Sequence, residues 1–348
     1  MYLQYRAFSV PKLETKDEEN EDSMAPASQS GAESLADFRC SVSDGASTAD
    51  FSRDWSHLLT NSFATDQNGA WLDNDLLLAE LANLAKQWKQ TTDGYFEGRE
   101  RQFWEVEKPG HAALAGLILN HSDPEQRTFV VITYGDSCFF QIRNEQVIMR
   151  APETAYDKFA SNPHLLCTDQ DQNRNVPKRI VRVPGTWEPG DVFYLMTDAV
   201  SATVYWCLEN NIAEFATLDT IKTQSSFAAY IDHMRATKRA DDEPFMKNDD
   251  CTMIRISVHL EPVAVEPSTE QQGSSADVQS INAAKPASEG NVMTAATAKL
   301  TPIGAGDVQP SSSSDDSSTS QSGGGADTSA NRDQTSEEKK PEKVQTTQ

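Results

Sequence analysis

The chain lacks what several large protein classes require. No run of about 18 apolar residues occurs anywhere, and the opening MYLQYRAFSVPKLETKDEEN has no basic start leading into an apolar stretch, so neither a membrane span nor a secretory signal is expected. Cysteine is sparse: Cys40, Cys138, Cys167, Cys207 and Cys251 are odd in number, widely spaced and never in a CxxC pair, which excludes a disulfide framework and favours buried, reduced thiols. The six histidines show no HxxxH or HExxH spacing, and no GxSxG, P-loop or GxGxxG lies in a strand-to-helix context, which removes zincins, acyl hydrolases and nucleotide folds. Basic charge is scarce as well. Against 53 acidic residues stand 30 basic ones, a formal net charge of −23 with no basic stripe, so nucleic acid and anionic membrane are not expected partners. A cytoplasmic protein is expected, and a monomer.

From about Glu261 the sequence also runs out of aromatic and large aliphatic residues. QQGSSADVQS, SSSSDDSSTSQSGGGADTS and SEEKKPEK bury too little apolar surface to offset their ordering entropy. Residues 1–260 are therefore expected to fold and 261–348 to form a disordered, low-complexity acidic tail.

What the folded part has is alternation. Tyr2 to Val10 alternates weakly; DFRCSVSD alternates Phe38, Cys40 and Val42 against polar neighbours, a half-buried strand ending at Asp44. Trp55, Leu58, Leu59, Ser62 and Phe63 fall at helical spacing, as do Leu78, Leu81, Ala82, Ala85 and Trp88. Thr128 to Arg143 is two β-prone runs broken by Gly135-Asp136, which reads as a hairpin. Val192 to Met196 suits a fully buried strand. Two helical faces follow, Val200, Val204, Cys207, Leu208 and then Phe227, Tyr230, Ile231, Met234. CTMIRISVHL closes the series, with Ile254, Ile256, Val258 and Leu260 opposite Arg255, Ser257 and His259. Helices that arrive in pairs between sequential strands favour an α+β fold with antiparallel sheets over a doubly wound parallel one.

Short acidic segments stand beside several of these runs: Asn20-Glu21-Asp22, Asp44-Gly45, Thr197-Asp198 and Asn248-Asp249-Asp250. Each has an ordinary explanation. Asp-Gly after a strand is a common turn, Asp198 suits a helix N-cap, and the other two read as solvated charge. Together they match another chemistry, because hard divalent cations take oxygen ligands and a two-metal hydrolase needs carboxylates from distant strands converging at one edge of a sheet. Asp169, Asp171 and Asn173 resemble half a calcium loop, but Arg174 stands where Gly is needed, and Ile180 where Glu is needed.

The ordered series Asn20-Glu21-Asp22, Val42-Ser43-Asp44-Gly45, Gly135-Asp136-Ser137, Thr197-Asp198 and Asp249-Asp250-Cys251-Thr252 resembles the motif series of the protein phosphatase 2C family, the metal-dependent serine/threonine phosphatases, over about 20–260. The resemblance implies an αββα sandwich of two antiparallel sheets flanked by helix pairs. It implies two Mn²⁺ or Mg²⁺ ions, with Asp44 bridging them and the Gly45 carbonyl ligating one. Asp198 and Asp249 would hold the first ion, Glu21 and Asp22 would support the second largely through water, and Asp136 would help form a third, weaker site. Asp44, Asp198 and Asp249 are the core of the expected catalytic set. The expected reaction is hydrolysis of phosphoserine or phosphothreonine in a phosphoprotein, such as the target of a serine/threonine kinase, by a water that two cations have made acidic. Two departures lean toward the bacterial branch. Ala46, followed by Ser47, stands where members often carry His or Met, and only Lys12 and Lys16 lie near the place of the phosphate-holding Arg. The rival expectation is a phosphatase-like domain, weak or inactive in catalysis, used as a binding or regulatory module.

Overall fold

The computed structural model describes residues 2–27, 30–33, 37–47, 51–98, 108–120, 126–160 and 163–260. The expected tail, 261–348, lies outside the described residues. Alternating apolar side chains pair into two antiparallel sheets that face each other. The first contains β1 (Tyr2–Val10), β3 (Ser30–Glu33), β7 (Cys138–Arg143), β8 (Gln146–Ala151), β11 (Val192–Met196) and β12 (Cys251–His259), in the order β3-β1-β12-β11-β7-β8. The second contains β2 (Ser23–Ala25), β4 (Asp37–Gly45), β5 (His111–Asn120), β6 (Thr128–Tyr134) and β10 (Val181–Thr186), in the order β10-β6-β5-β4-β2, with the short β9 (Leu166–Cys167) against the start of β5. Helices α1 (Ser52–Thr65) and α2 (Asn74–Phe96) pack on the second sheet, beside the one-turn α3 (Val176–Arg179). Helices α4 (Asp198–Glu209), α5 (Glu214–Thr220) and α6 (Gln224–Ala236) pack on the first.

Period-two alternation explains the layers. Leu3, Tyr5 and Ala7 of β1, Cys40 and Val42 of β4, and Ile254, Ile256 and Val258 of β12 meet between the sheets with Phe129, Phe139 and Phe193. Their neighbours along the strands point outward to the helices: Phe8, Phe140, Tyr194 and Met196 meet Val200, Val204, Phe227 and Ile231. On the other side Leu114, Ile118 and Ile132 meet Trp55, Leu59, Phe63 and Leu81. The expected αββα sandwich is present. All five cysteines are buried and free.

Three local expectations are corrected. Residues 128–143 do not form a hairpin: β6 pairs β5 and β10 in the second sheet, whereas β7 pairs β8 and β11 in the first. Gly135 and Asp136 are the corner where the chain crosses between sheets. Gly135 has φ 93°, and a Cβ there would stand 2.6 Å from Ala113 Cβ, so glycine is required. Both runs are buried on both faces, so no polar face marked which strands were neighbours. The hairpin joins β7 to β8 instead, through Asn144 and Glu145 at φ 50° and 66°, the twist-matched left-handed pair. Secondly, the buried stripe of α2 is Leu77, Leu81, Leu84 and Trp88, with Leu78, Ala82 and Ala85 on its flank; in α1, Leu58 and Ser62 are likewise flanking. The run Leu76-Leu77-Leu78 allowed either register. Thirdly, Arg255 and Ser257 are buried although polar, because helices cover that face of β12, while Leu260 is exposed.

Candidate active site

Strand register brings the acidic segments to one end of the sandwich. Val10 pairs with Cys251, and Met196 with both Met253 and Cys138, so the exit of β1, the approach to β12, the end of β11 and the Gly135-Asp136 corner share an edge. Ser23 pairs with Ser43 across β2 and β4, which sets Asp22 beside Asp44. Gly45 is sterically obligatory, since a Cβ would lie 2.7 Å from the Glu21 carbonyl oxygen and 2.8 Å from that of Ser52.

Hydrogen bonds fix these segments to one another. The Thr197 hydroxyl donates to Asp22 Oδ2 at 2.8 Å and accepts from Thr252 N–H at 2.9 Å. Asn20 Oδ1 accepts from Asp22 N–H at 2.9 Å, and its amide donates to Ser9 Oγ, which lies 2.8 Å from Thr252 Oγ1. Asp250, buried, accepts N–H bonds from Lys12 and Glu21, each at 2.8 Å. The Ser56 hydroxyl donates to the Glu21 carbonyl at 2.7 Å, and Ser52 Oγ to the Ala46 carbonyl at 2.5 Å. Arg235 donates to the carbonyls of Pro11 and Asp249.

Asn20 and Asp22 are therefore buried structural members rather than solvated charge, and so is Asp250; the exposed part of the acidic run is Asp17 to Glu19. Asp198 is not the N-cap of α4. Thr197 holds that position and Asp198 opens the helix, where N–H groups favour a carboxylate.

The electrostatics are those of crowded carboxylates. Burial pushes the Asp44 carboxyl well above the usual range, and the charges of Asp198, Asp22, Asp136 and Asp249 push it further. Asp22 is raised by burial and by Asp250 and Asp198, against its bond from Thr197. Asp136 is pushed up to about 7 by burial and then by Asp198. Asp198 is raised by burial, with Lys247 opposing. Each of these raised carboxyls feels at least one other, and Asp249 acts on three of them, so residues 22, 44, 136, 198 and 249 form one electrostatic group. Glu21 turns aside: its carboxylate lies 3.1 Å from Lys12 Nζ and accepts from Ser47.

Among the described residues no three acidic, imidazole or thiol side chains are already arranged as a metal ligand set. Two of the expected ligands are instead joined by an ammonium: Lys247 Nζ contacts Asp198 Oδ2 and lies 3.0 Å from Asp249 Oδ2. The donor set nonetheless fits a hard divalent cation. It is all oxygen, and Asp22 Oδ1 and Asp198 Oδ1 are buried with no hydrogen-bond partner among the described residues, a cost that a cation would offset. Small clefts flank the group. One of about 260 Å³ contains Asp136 together with Lys158, His164 and Arg179, and one of about 230 Å³ contains Lys247 and Arg239. The sequence alone did not single out Asp250, Thr197, Lys247 or Arg235 for a role; the signal for Asp250 and Thr197 was only their place beside Asp249 and Asp198.

The fold is a two-sheet αββα sandwich with an acidic group at one edge. The chain belongs to the protein phosphatase 2C family, whose model matches residues 12–248. Comparison with curated protein sequences gives no match. Among solved structures, the chain is similar to the serine/threonine phosphatase PstP/Ppp of Mycobacterium tuberculosis, at 15% identity over 74% of this chain and 100% of that one, with a TM-score of 0.49. It is also similar to the phosphatase domain of SpoIIE from Bacillus subtilis (14%, 77% and 97%, TM-score 0.36) and to PppA of Pseudomonas aeruginosa (16%, 74% and 98%, TM-score 0.39). At these identities and scores the assignment rests on the family match. No helix among the described residues is long and apolar enough to cross a membrane.

Proposed function

We propose that residues 1–260 are a Mn²⁺- or Mg²⁺-dependent protein serine/threonine phosphatase domain acting on phosphoserine or phosphothreonine of a phosphoprotein. The observation that carries this reading is the gathering of Asp22, Asp44, Asp136 and Asp198 at one edge of the sandwich, each raised by burial and by at least one neighbouring carboxylate, within a chain of this family. Asp44 would serve both ions and the Gly45 carbonyl one of them, Asp198 and Asp249 the first, Glu21 and Asp22 the second, and Asp136 a weaker third. Bound cations supply acidified water for attack at phosphorus and offset phosphoryl charge. The chain's own contribution is positioning. The Thr197, Asn20 and Asp250 hydrogen bonds hold the carboxylates in place, and buried surroundings strengthen their attraction for a cation. Lys12, beside Glu21 and Ser47, is placed to offset substrate phosphate charge at the rim, where the family pattern has an Arg. With Ala46 and Ser47 after the Asp-Gly step, no imidazole follows it to protonate the leaving oxygen, so solvent water serves that step.

The test is hydrolysis of a phosphoserine peptide with Mn²⁺ by the native chain and by Asp44→Asn. The reading predicts turnover by the first and loss by the second. Equal rates in the two would contradict it. A second reading, a binding module on the same scaffold, is favoured by the Lys247 ammonium between Asp198 and Asp249. It predicts no turnover by either chain.

A further inference from the structure

The residue that stands across from Ala46 is a histidine. Gly45 pairs with Ala112 across β4 and β5, and the Ala46 N–H carries that register one step further by donating to the His111 carbonyl at 2.9 Å. Residues directly opposite in an antiparallel pair share a face. Along β5, Ala115, Leu117 and Leu119 face between the sheets, whereas Ala112, Leu114 and Ile118 face the helices. Alternation therefore puts His111 on the face between the sheets, the face of Val42 and Asp44. Asp44 stands opposite Ala113, so His111 is its diagonal neighbour, a spacing of roughly 7–8 Å along such a pair. The Asp-Gly step has an imidazole beside it after all, delivered by the adjoining strand.

The ring is held from one side only. β9 sets Cys167 against His111, with the Cys167 sulfur 3.2 Å from His111 Nε2. Gln172, on the turn that follows, brings its Oε1 to 3.1 Å from the same nitrogen. Gln172 is itself oriented, because its amide nitrogen donates to Asp169 Oδ2 at 3.3 Å and leaves Oε1 to accept. His111 Nε2 thus carries the proton of that bond. Burial pushes the Cys167 thiol up to about 11, so it meets the ring uncharged. Nδ1 is left without a hydrogen-bond partner among the described residues, and the ring is half-buried rather than enclosed.

We propose that His111 is the proton source for the leaving serine or threonine oxygen. The inference rests on the phosphatase reading above, in which solvent water protonates that oxygen, and it names the group that resupplies the water. As the bond from phosphorus to the leaving oxygen breaks, the oxygen takes a proton from this water and the water takes one from His111 Nδ1. The neutral ring then regains a proton from solvent, to which the attacking water has released one, so the hydrolysis balances. Gln172 and Asp169 act through the ring, keeping Nε2 occupied and Nδ1 available. A positioned imidazole is the side chain most often used for such a transfer.

The leaving group separates this role from a structural one. A serine oxygen needs a proton as it departs, whereas p-nitrophenolate leaves without one. With the full chain and Mn²⁺, the ratio of kcat for a phosphoserine peptide to kcat for p-nitrophenyl phosphate is expected to fall about a hundredfold in His111→Gln. Gln172→Leu, at an exposed position, lowers the same ratio by less. Equal losses on both substrates overturn the proposal. Turnover of neither substrate by the native chain removes the phosphatase reading itself, and this inference with it. A second readout needs no turnover: in proton spectra of the imidazoles, the His111 signal, assigned by its absence from His111→Gln, broadens at substoichiometric Mn²⁺, while His259 at the far end of β12 stays sharp. A His111 signal that stays sharp with the ion bound overturns the proposal.

Discussion

The two ends of the first sheet hold acidic groups in opposite ways. At the end where β11 returns from its turn, Asp191 is fully buried, yet hydrogen bonds from Arg143, Glu188 N–H and Gln141 outweigh burial and hold it below the usual carboxylate range. Asp219 is held down similarly by Arg255. At the other end, where both sheets share an edge, Asp22, Asp44, Asp136 and Asp198 are raised, because burial and neighbouring carboxylates exceed what Lys247 and Thr197 return. Folding stability alone explains the first arrangement, in which each charge has a partner. It does not explain the second, which costs stability and is the kind of arrangement that gathers at functional sites.

Breaking each end separates the two cases. The largest effect is expected on catalysis: Asp198→Asn should lower Mn²⁺-dependent phosphopeptide turnover on the order of a thousandfold, measured as kcat/KM, with the fold intact by circular dichroism. Next, Asp191→Ala removes the shared acceptor of Arg143 and Gln141 and should cost about 2–3 kcal/mol in urea unfolding. A loss under 1 kcal/mol there would mean that the paired end is not structural.

A pH series sharpens the contrast. Asp136, at about 7 when folded against about 4 when unfolded, contributes stability that is fully present below pH 4 and lost as pH rises through 7. In EDTA, Asp136→Asn should match the native melting temperature near pH 4. Its unfolding free energy should exceed the native chain's increasingly up to pH 8, by at most about 4 kcal/mol. A gap that does not change with pH would refute the raised carboxyl. The smallest effect concerns Lys247. Since its ammonium satisfies Asp198 and Asp249, Lys247→Met should tighten Mn²⁺ binding about tenfold by calorimetry while lowering metal-free stability. Weaker binding in the variant would instead give Lys247 a supporting role at the ion.

Much of this was legible in the sequence because each acidic segment borders an apolar run, and a strand's end fixes where its last residue goes. Asp44 at the end of β4, Asp198 after β11 and Asp249 before β12 follow that rule. Antiparallel α+β layering was legible from alternation and paired helical stripes, and the sandwich itself from the family resemblance. The Gly135-Asp136 corner was not, because two strands buried on both faces carry no mark of which sheet each joins. Nor was the work of Asp250, which depends on β1 running beside β12 and delivering two N–H groups from residues 12 and 21. The place of His111 opposite Ala46 was hidden for the same reason: register between strands is a property of the folded sheet.

The most direct trial of the account is a calorimetric titration of Mn²⁺ into the native chain and into Asp44→Asn. Saturable binding by the native chain at micromolar concentrations, lost or weakened at least about tenfold in the variant, is the predicted result. Identical isotherms for the two chains, or no heat from either, would contradict it.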